Sequence, residues 1–168
     1  MASLDLLVMA SWREFNRIRP GLAKAGLSLL YQYGVGLAFL ATSRPDGGPR
    51  VHPVCPLVTE GSLFAFIVPS PKRDDLLRDG RYALHSFPAE DNEDAFYATG
   101  RAELVTDDMN RTVAAAQFAQ ERQLSESPNV TDWMLFSLDV RTCLLTRTTR
   151  HGDPAPQHSV WRERDNEA

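Results

Sequence analysis

A chain of 168 residues with 43% hydrophobic and 24% charged side chains can bury about two-thirds of its unfolded surface, so residues 1–168 are read as one globular domain. Its net charge of −4, from 18 Lys and Arg against 22 Asp and Glu, argues against a nucleic-acid or anionic-membrane partner, either of which needs a basic face. Two cysteines, Cys55 and Cys143, make no disulfide framework, and reduced thiols in a cytoplasmic protein are the expectation.

The start, Met1–Met9, is apolar but lacks a basic leader and a small-residue cleavage site, so it does not read as a signal peptide. Met1-Ala-Ser recurs as Met9-Ala-Ser, which makes residues 1–8 an extension or alternative start. Trp12 and Phe15 fit a short amphipathic helix over residues 10–19, ended by Pro20. A second helix is expected over Pro20–Tyr33, with Leu22, Gly26, Leu29, Leu30 and Tyr33 on one stripe and Gly34 as its stop. The window from Leu22 to Thr42 holds Lys24, Gln32 and several glycines, too polar to span a bilayer.

From Val35 the period changes to that of strands. Val35–Ser43 leads through a Pro-Asp-Gly-Gly turn into Arg50–Val58, where Pro53 and Pro56 demand an unpaired side or bulges. Ser62–Val68 is a third strand and Tyr82–Phe87 a fourth, with a helical turn between them. An acidic loop over 88–94 precedes a long fifth strand, Ala95–Thr106, bent at Gly100. Thr106 opens a helix to about Gln123 with Met109, Val113 and Ala116 on one stripe and Phe118 nearly opposite, a pattern that suggests a subunit contact. Residues 125–131 read as loop, 132–150 as one or two strand segments, and 151–168 as a polar tail apart from Val160-Trp161. Hairpin-length links make the strands antiparallel, so the fold class is α+β and mainly β: a six-stranded antiparallel barrel with flanking helices.

The chemistry concentrates in residues 50–76. Ser70, Lys72 and Arg73 lie at a strand-to-helix junction, where free backbone N–H groups and side-chain cations together suit an anion. The plain alternative is an exposed Lys-Arg pair in a surface turn. His52 and Cys55 fall on opposite faces of a strand and do not share a metal. His85 reads as a packed or solvent-facing residue, while a haem site would need it, His151 or His158 as ligand.

Three runs carry a resemblance: Gly36-Leu-Ala-Phe-Leu-Ala-Thr, then Pro-Asp-Gly-Gly-Pro-Arg-Val-His-Pro-Val, then Ser-Pro-Lys-Arg-Asp-Asp-Leu-Leu-Arg-Asp-Gly-Arg-Tyr-Ala-Leu-His. With Ala-Thr-Gly-Arg-Ala-Glu-Leu-Val105, this set resembles the pyridoxamine-phosphate-oxidase-like, FMN-binding split β-barrels over residues 35–106. The resemblance implies a Greek-key split barrel and a homodimer with cofactor sites between its subunits. It implies that Arg50 reaches the FMN phosphate and that Ser70, Lys72 and Leu76 match the phosphate loop, with Pro71 replacing a loop arginine and Arg73 standing in for it. Val51, His52, Pro53 and Val54 would border the flavin ring. Trp161 would either cover the ring from the partner subunit or staple the tail to the barrel.

Several departures count against the true oxidase. Cys55 replaces a strand-end lysine, Ala95 a ring-contacting glutamine, and Trp161-Arg-Glu-Arg164 keeps only the tryptophan of the closing signature. The implied function is an FMN-dependent oxidoreductase moving hydride between the flavin and an unidentified small substrate. A deazaflavin-dependent reductase and a non-catalytic flavin- or haem-binding module are the alternatives.

Overall fold

The structure, a computed structural model, describes residues 10–128 and 132–163. The expected extension over 1–8, the last residues of the loop ending at Thr131, and Arg164 lie outside the described residues. Two helices come first. In α1 (Trp12–Ile18) the Ser11 hydroxyl accepts from the Glu14 N–H at 3.3 Å, an N-cap, and Pro20 opens α2 (Pro20–Leu30) directly behind it. The strands are β1 (Ala38–Ser43), β2 (Pro49–Val54), β3 (Pro56–Val58), β4 (Leu63–Ile67), β5 (Arg81–Ser86), β6 (Ala95–Leu104), β7 (Met134–Leu138), β8 (Thr142–Arg147) and β9 (Gln157–Arg162). Helix α3 (Pro71–Arg78) follows β4, and α4 (Asp108–Glu121) follows β6.

All pairs are antiparallel, in the order β2-β1-β5-β6-β7-β4-β3, with β8 and β9 branching from β6. Strands β2 and β3 stand at opposite ends of this path, yet only Cys55 separates them in the chain. The sheet must therefore curl until its two outer strands meet. At that meeting there is no β2–β3 ladder among the described residues; side chains serve β3 instead. The Val58 N–H donates to the Tyr31 hydroxyl at 3.0 Å, the Gln117 amide donates to the Val58 carbonyl at 3.1 Å, and Arg122 donates to both Gly36 O and Pro56 O at 3.3 Å. This is a split barrel. The unpaired side that Pro53 and Pro56 required is present, because β2 pairs only with β1.

Among the described residues there are nine strand segments where six strands were expected. The expected Arg50–Val58 strand divides at Cys55 because its prolines lack donors, residues 132–150 supply β7 and β8, and the expected polar tail supplies β9. The tail is ordered by Trp161, whose indole is 1% exposed and packs 5.0 Å from the Phe15 ring. The helix α4 also differs from expectation. Its Met109–Val113 stripe faces outward, and the buried face is Ala114, Ala115, Phe118 and Ala119. Small alanines let the helix approach the sheet while Phe118 enters edge-on beside Phe66 and Trp133. No helix among the described residues is long and apolar enough to cross a membrane.

Strand β6 serves two neighbours on one flank, with residues 95–99 on β8 and 102–104 on β7. Gly100 sits at the change of partner, where a Cβ would stand 1.7 Å from the Asp139 carbonyl oxygen. No side chain fits there. Gly100→Ala is expected to cost about 3 kcal/mol or more through overpacking against backbone. Gly21→Ala, whose Cβ would meet nothing within 4 Å in α2, is expected to be neutral or stabilising. Urea denaturation of the two variants checks the contrast, and equal midpoints would refute it.

The Asp139 side chain is half-buried, and burial first, then the neighbouring Glu103 and Glu163 carboxylates, push its pKa from 3.8 up to about 6. A carboxyl raised in the folded state disfavours folding once it must ionise. Stability due to this group falls as pH rises from about 4 to about 6 and stays low above that. Asp139→Asn is expected to raise the unfolding midpoint at pH 7 and to flatten the slope between those values. A variant less stable than its parent at pH 7 would show that the charge is satisfied after all.

Candidate functional site

The residues that the resemblance singles out meet where α3 lies against β2. Ser70 precedes Pro71, which cannot donate a backbone N–H and starts α3 without strain. The Ser70 hydroxyl does not cap the helix; it donates to Val68 O at 2.8 Å. Leu76 points into the main core at 3% exposure and anchors α3.

The centre of this junction is a residue that the sequence reading passed over. Asp75 is 1% exposed, and its Oδ2 accepts from Arg50 Nε at 2.7 Å and from Thr42 Oγ1 at 2.9 Å. Its Oδ1 accepts from both terminal nitrogens of Arg78 at 3.2 Å. Burial alone would raise the pKa of this carboxyl, but the hydrogen bonds from Arg50, Thr42 and Arg78 outweigh it and hold the group below the usual carboxylate range. Arg78 also donates to Ser43 O in a short contact, so α3 is fastened to the β1–β2 hairpin.

Arg50 spends only Nε on Asp75. Its two terminal nitrogens have no protein partner among the described residues, and its side chain remains 24% exposed. Lys72 stands one helical turn before Asp75, on the same side of α3, and its Nζ reaches the Pro53 carbonyl of β2 at 3.4 Å. The two cations that the sequence pairs therefore lie along one seam, Arg50 at the start of β2 and Lys72 near its end. Arg50, Lys72, Arg73 and Arg78 against Asp74 and Asp75 leave a surplus of two positive charges.

Other expected residues fall elsewhere. Arg73 turns from the seam to Asp132 O at 3.4 Å. Its position, one residue on from Lys72, rotates it about 100° around α3. Val54 is in the core at 6% exposure, while Val51, His52 and Pro53 are exposed along the open strand. Trp161 is a core residue packed on Phe15, where it staples the tail to the barrel. No cluster of three metal-ligating side chains exists among the described residues.

The outward face of the large sheet is also open. Residues opposite one another in an antiparallel register share a face. One rung runs Pro53, Phe39, His85, Tyr97, Leu144, Val160, and the next Val51, Ala41, Ala83, Thr99, Thr142, Arg162. None of these is buried. Small residues at the centre leave a hollow of about 340 Å³ between Tyr97 and Arg81, floored by Ala41, Ala83 and Thr99. His85 lies beside it with Nδ1 2.6 Å from Ser86 O. A carbonyl partner requires the proton on Nδ1, and the imidazole is exposed on this face.

No sequence-family profile matches the chain, and no curated protein matches it in sequence. Solved structures do share its fold. The heme binding protein from Mycobacterium smegmatis superposes with a TM-score of 0.63 at 15% identity, over 82% of this chain and 57% of that one. A Clostridium acetobutylicum protein related to general stress protein 26, of the pyridoxinephosphate oxidase family, gives 0.57 at 11% identity, over 91% of this chain and 97% of its own. HutZ, the heme storage protein from Vibrio cholerae, gives 0.55 at 16% identity, over 81% and 91%. The fold is that of the pyridoxamine-phosphate-oxidase-like split barrels. This chain spans 57% of the length of the mycobacterial protein.

Proposed function

We propose that this is a cytoplasmic FMN-binding oxidoreductase that grips the cofactor's phosphate on the α3–β2 seam and passes hydride between the flavin and a small substrate. The observation that supports this most is the state of Arg50. Its guanidinium is pinned through Nε to a buried carboxylate, while its terminal fork is unspent on a part-exposed side chain of the same strand that Lys72 reaches. A fixed planar fork is what a phosphate oxygen pair takes best. Lys72 together with the Arg50–Asp75–Arg78 cluster leaves a local positive excess that suits a dianion. The residues present thus fit the group: Arg50 and Lys72 would hold the phosphate, with Ser70 at the junction. The exposed stretch Val51–Pro53 would border the ring with the backbone groups of an unpaired strand edge. When bound, the flavin supplies the hydride chemistry. The protein's own residues supply the anchor and the orientation.

A second reading is favoured by His85, an exposed imidazole on an uncovered, partly aromatic sheet face. That is how an axial ligand is presented to haem, and two of the fold's neighbours are named for heme. A visible spectrum of freshly purified protein separates the readings: flavin bands support the first, a Soret band the second. In titrations with FMN and with the deazaflavin coenzyme, Arg50→Ala and Lys72→Ala are each expected to weaken FMN binding by about tenfold to a hundredfold. If neither substitution changes FMN affinity, the phosphate does not sit on this seam.

The open sheet face supports a homodimer with its cofactor sites near the subunit boundary. Six strands at about 4.8 Å spacing and about five residues at 3.4 Å give roughly 500 Å² per copy. Two copies would bury about 1,000 Å², the lower bound of a stable interface, before helices contribute. Ala83→Arg, at the centre of that face, is expected to convert a dimer into a monomer in analytical ultracentrifugation. A parent protein that is monomeric at micromolar concentration would rule this arrangement out.

A further inference from the structure

Arg50 is one of two cations on the proposed phosphate seam, and its direction is set by another residue. An arginine side chain has several freely rotating bonds, and a phosphate site must remove that rotamer freedom. Here it is removed in advance. Asp75 Oδ2 accepts Arg50 Nε at 2.7 Å, and the carboxylate that does so is itself immobile. Thr42 Oγ1 holds the same oxygen at 2.9 Å, Arg78 holds the other, and Leu76 beside it is fixed in the core. Thr42 and Arg50 face each other in the β1–β2 register, so hairpin and helix meet at one oxygen atom.

We propose that Asp75 is the positioning residue for phosphate recognition: through Nε it aims the terminal fork of Arg50 along the α3–β2 seam, and it thereby makes the site distinguish a phosphorylated flavin from its dephosphorylated parent. The inference rests on the flavin reading above. Two effects of the carboxylate oppose each other, because its charge repels a dianion while its oxygen orients the arginine. Arg78 decides between them. The carboxylate is shared by two guanidinium groups, so the cluster is net positive and little of the negative charge reaches the seam. Orientation is the effect that remains.

The test compares FMN and riboflavin affinities by flavin fluorescence for the parent protein, Asp75→Ala, Asp75→Asn and Thr42→Val, each first shown to melt cooperatively. The parent is expected to bind FMN more tightly than riboflavin. Asp75→Ala is expected to lose about tenfold or more of that ratio with riboflavin affinity unmoved. Asp75→Asn, which keeps an acceptor oxygen for Nε but no charge, is expected to restore most of the ratio. Thr42→Val is expected to lose a smaller part of it, and it carries the test alone if the alanine variant does not fold. An unchanged ratio in every folded variant overturns the proposal. So does a rise in FMN affinity shared by Asp75→Ala and Asp75→Asn, which would make Asp75 a repelling charge. A parent protein that binds the two flavins equally would instead remove the phosphate reading itself, and this inference with it.

Discussion

The constraint on which this fold depends is the single residue between β2 and β3. Two strands one residue apart in the chain occupy the two ends of a seven-strand path, so the sheet has no choice but to curl upon itself. What it cannot do is finish the ladder, because Pro53 and Pro56 flank the junction and neither has an N–H to give. The backbone groups of β3 are satisfied by side chains from outside the sheet: Tyr31 from the end of α2, and Gln117 and Arg122 from α4. Burial, followed by the effects of Val58 and Glu121, leaves the Tyr31 hydroxyl with a pKa pushed up to about 12, so it remains a neutral donor and acceptor at any ordinary pH. The helices thus do more than cover the barrel. They replace the missing rung.

That closure has an electrostatic consequence at the opposite end of β2. An edge strand held on one side only needs another tether, and α3 provides it through Asp75. A carboxylate this deeply buried would be destabilising alone, but it receives hydrogen bonds from two arginines and a threonine. Breaking any one leaves a buried charge less than fully paired, which ties the stability of the hairpin to the geometry of the seam. The same bonds that hold β2 to α3 hold Arg50 still.

Much of the fold was legible in the sequence because its signals are local. Pro-Asp-Gly-Gly marked the first hairpin, Gly100 the bend, and the prolines of the second strand the open side. The tail misled because five of the six β9 residues are exposed and only Trp161 is buried; one anchor with a ladder leaves almost no hydrophobic period. The α4 stripe misled because the buried face is made largely of alanines, which carry less hydrophobic signal than the exposed Met109 and Val113. At the site, Arg50 and Lys72 join β2 to α3 at the two ends of the strand, whereas Arg73 lies a helical step round the helix. Asp75 was overlooked although it follows Lys72 by one turn, because an acidic residue in a basic loop reads as ordinary helix chemistry. Only the register of Thr42 with Arg50, joined to the helix, shows that three elements converge on it.

The two faces of β2 carry different tasks, and the period of two in a strand is what separates them. Arg50 and Val54 turn inward, one to Asp75 and one to the core, while Val51 and Pro53 turn toward the open sheet face with Phe39, Ala41 and Ala83. A strand with an unpaired edge and an exposed apolar side is ordinarily a hazard, since it invites pairing with any other chain. Two prolines blunt the hazard by removing donors, yet Val51 remains 58% exposed and the rungs beside it are uncovered. Such a surface is tolerated best when something specific covers it. On the reading proposed above, a nucleotide on the seam and a second copy on the sheet would cover the edge and the face together, and the strand that most needs covering would be the one that builds both contacts.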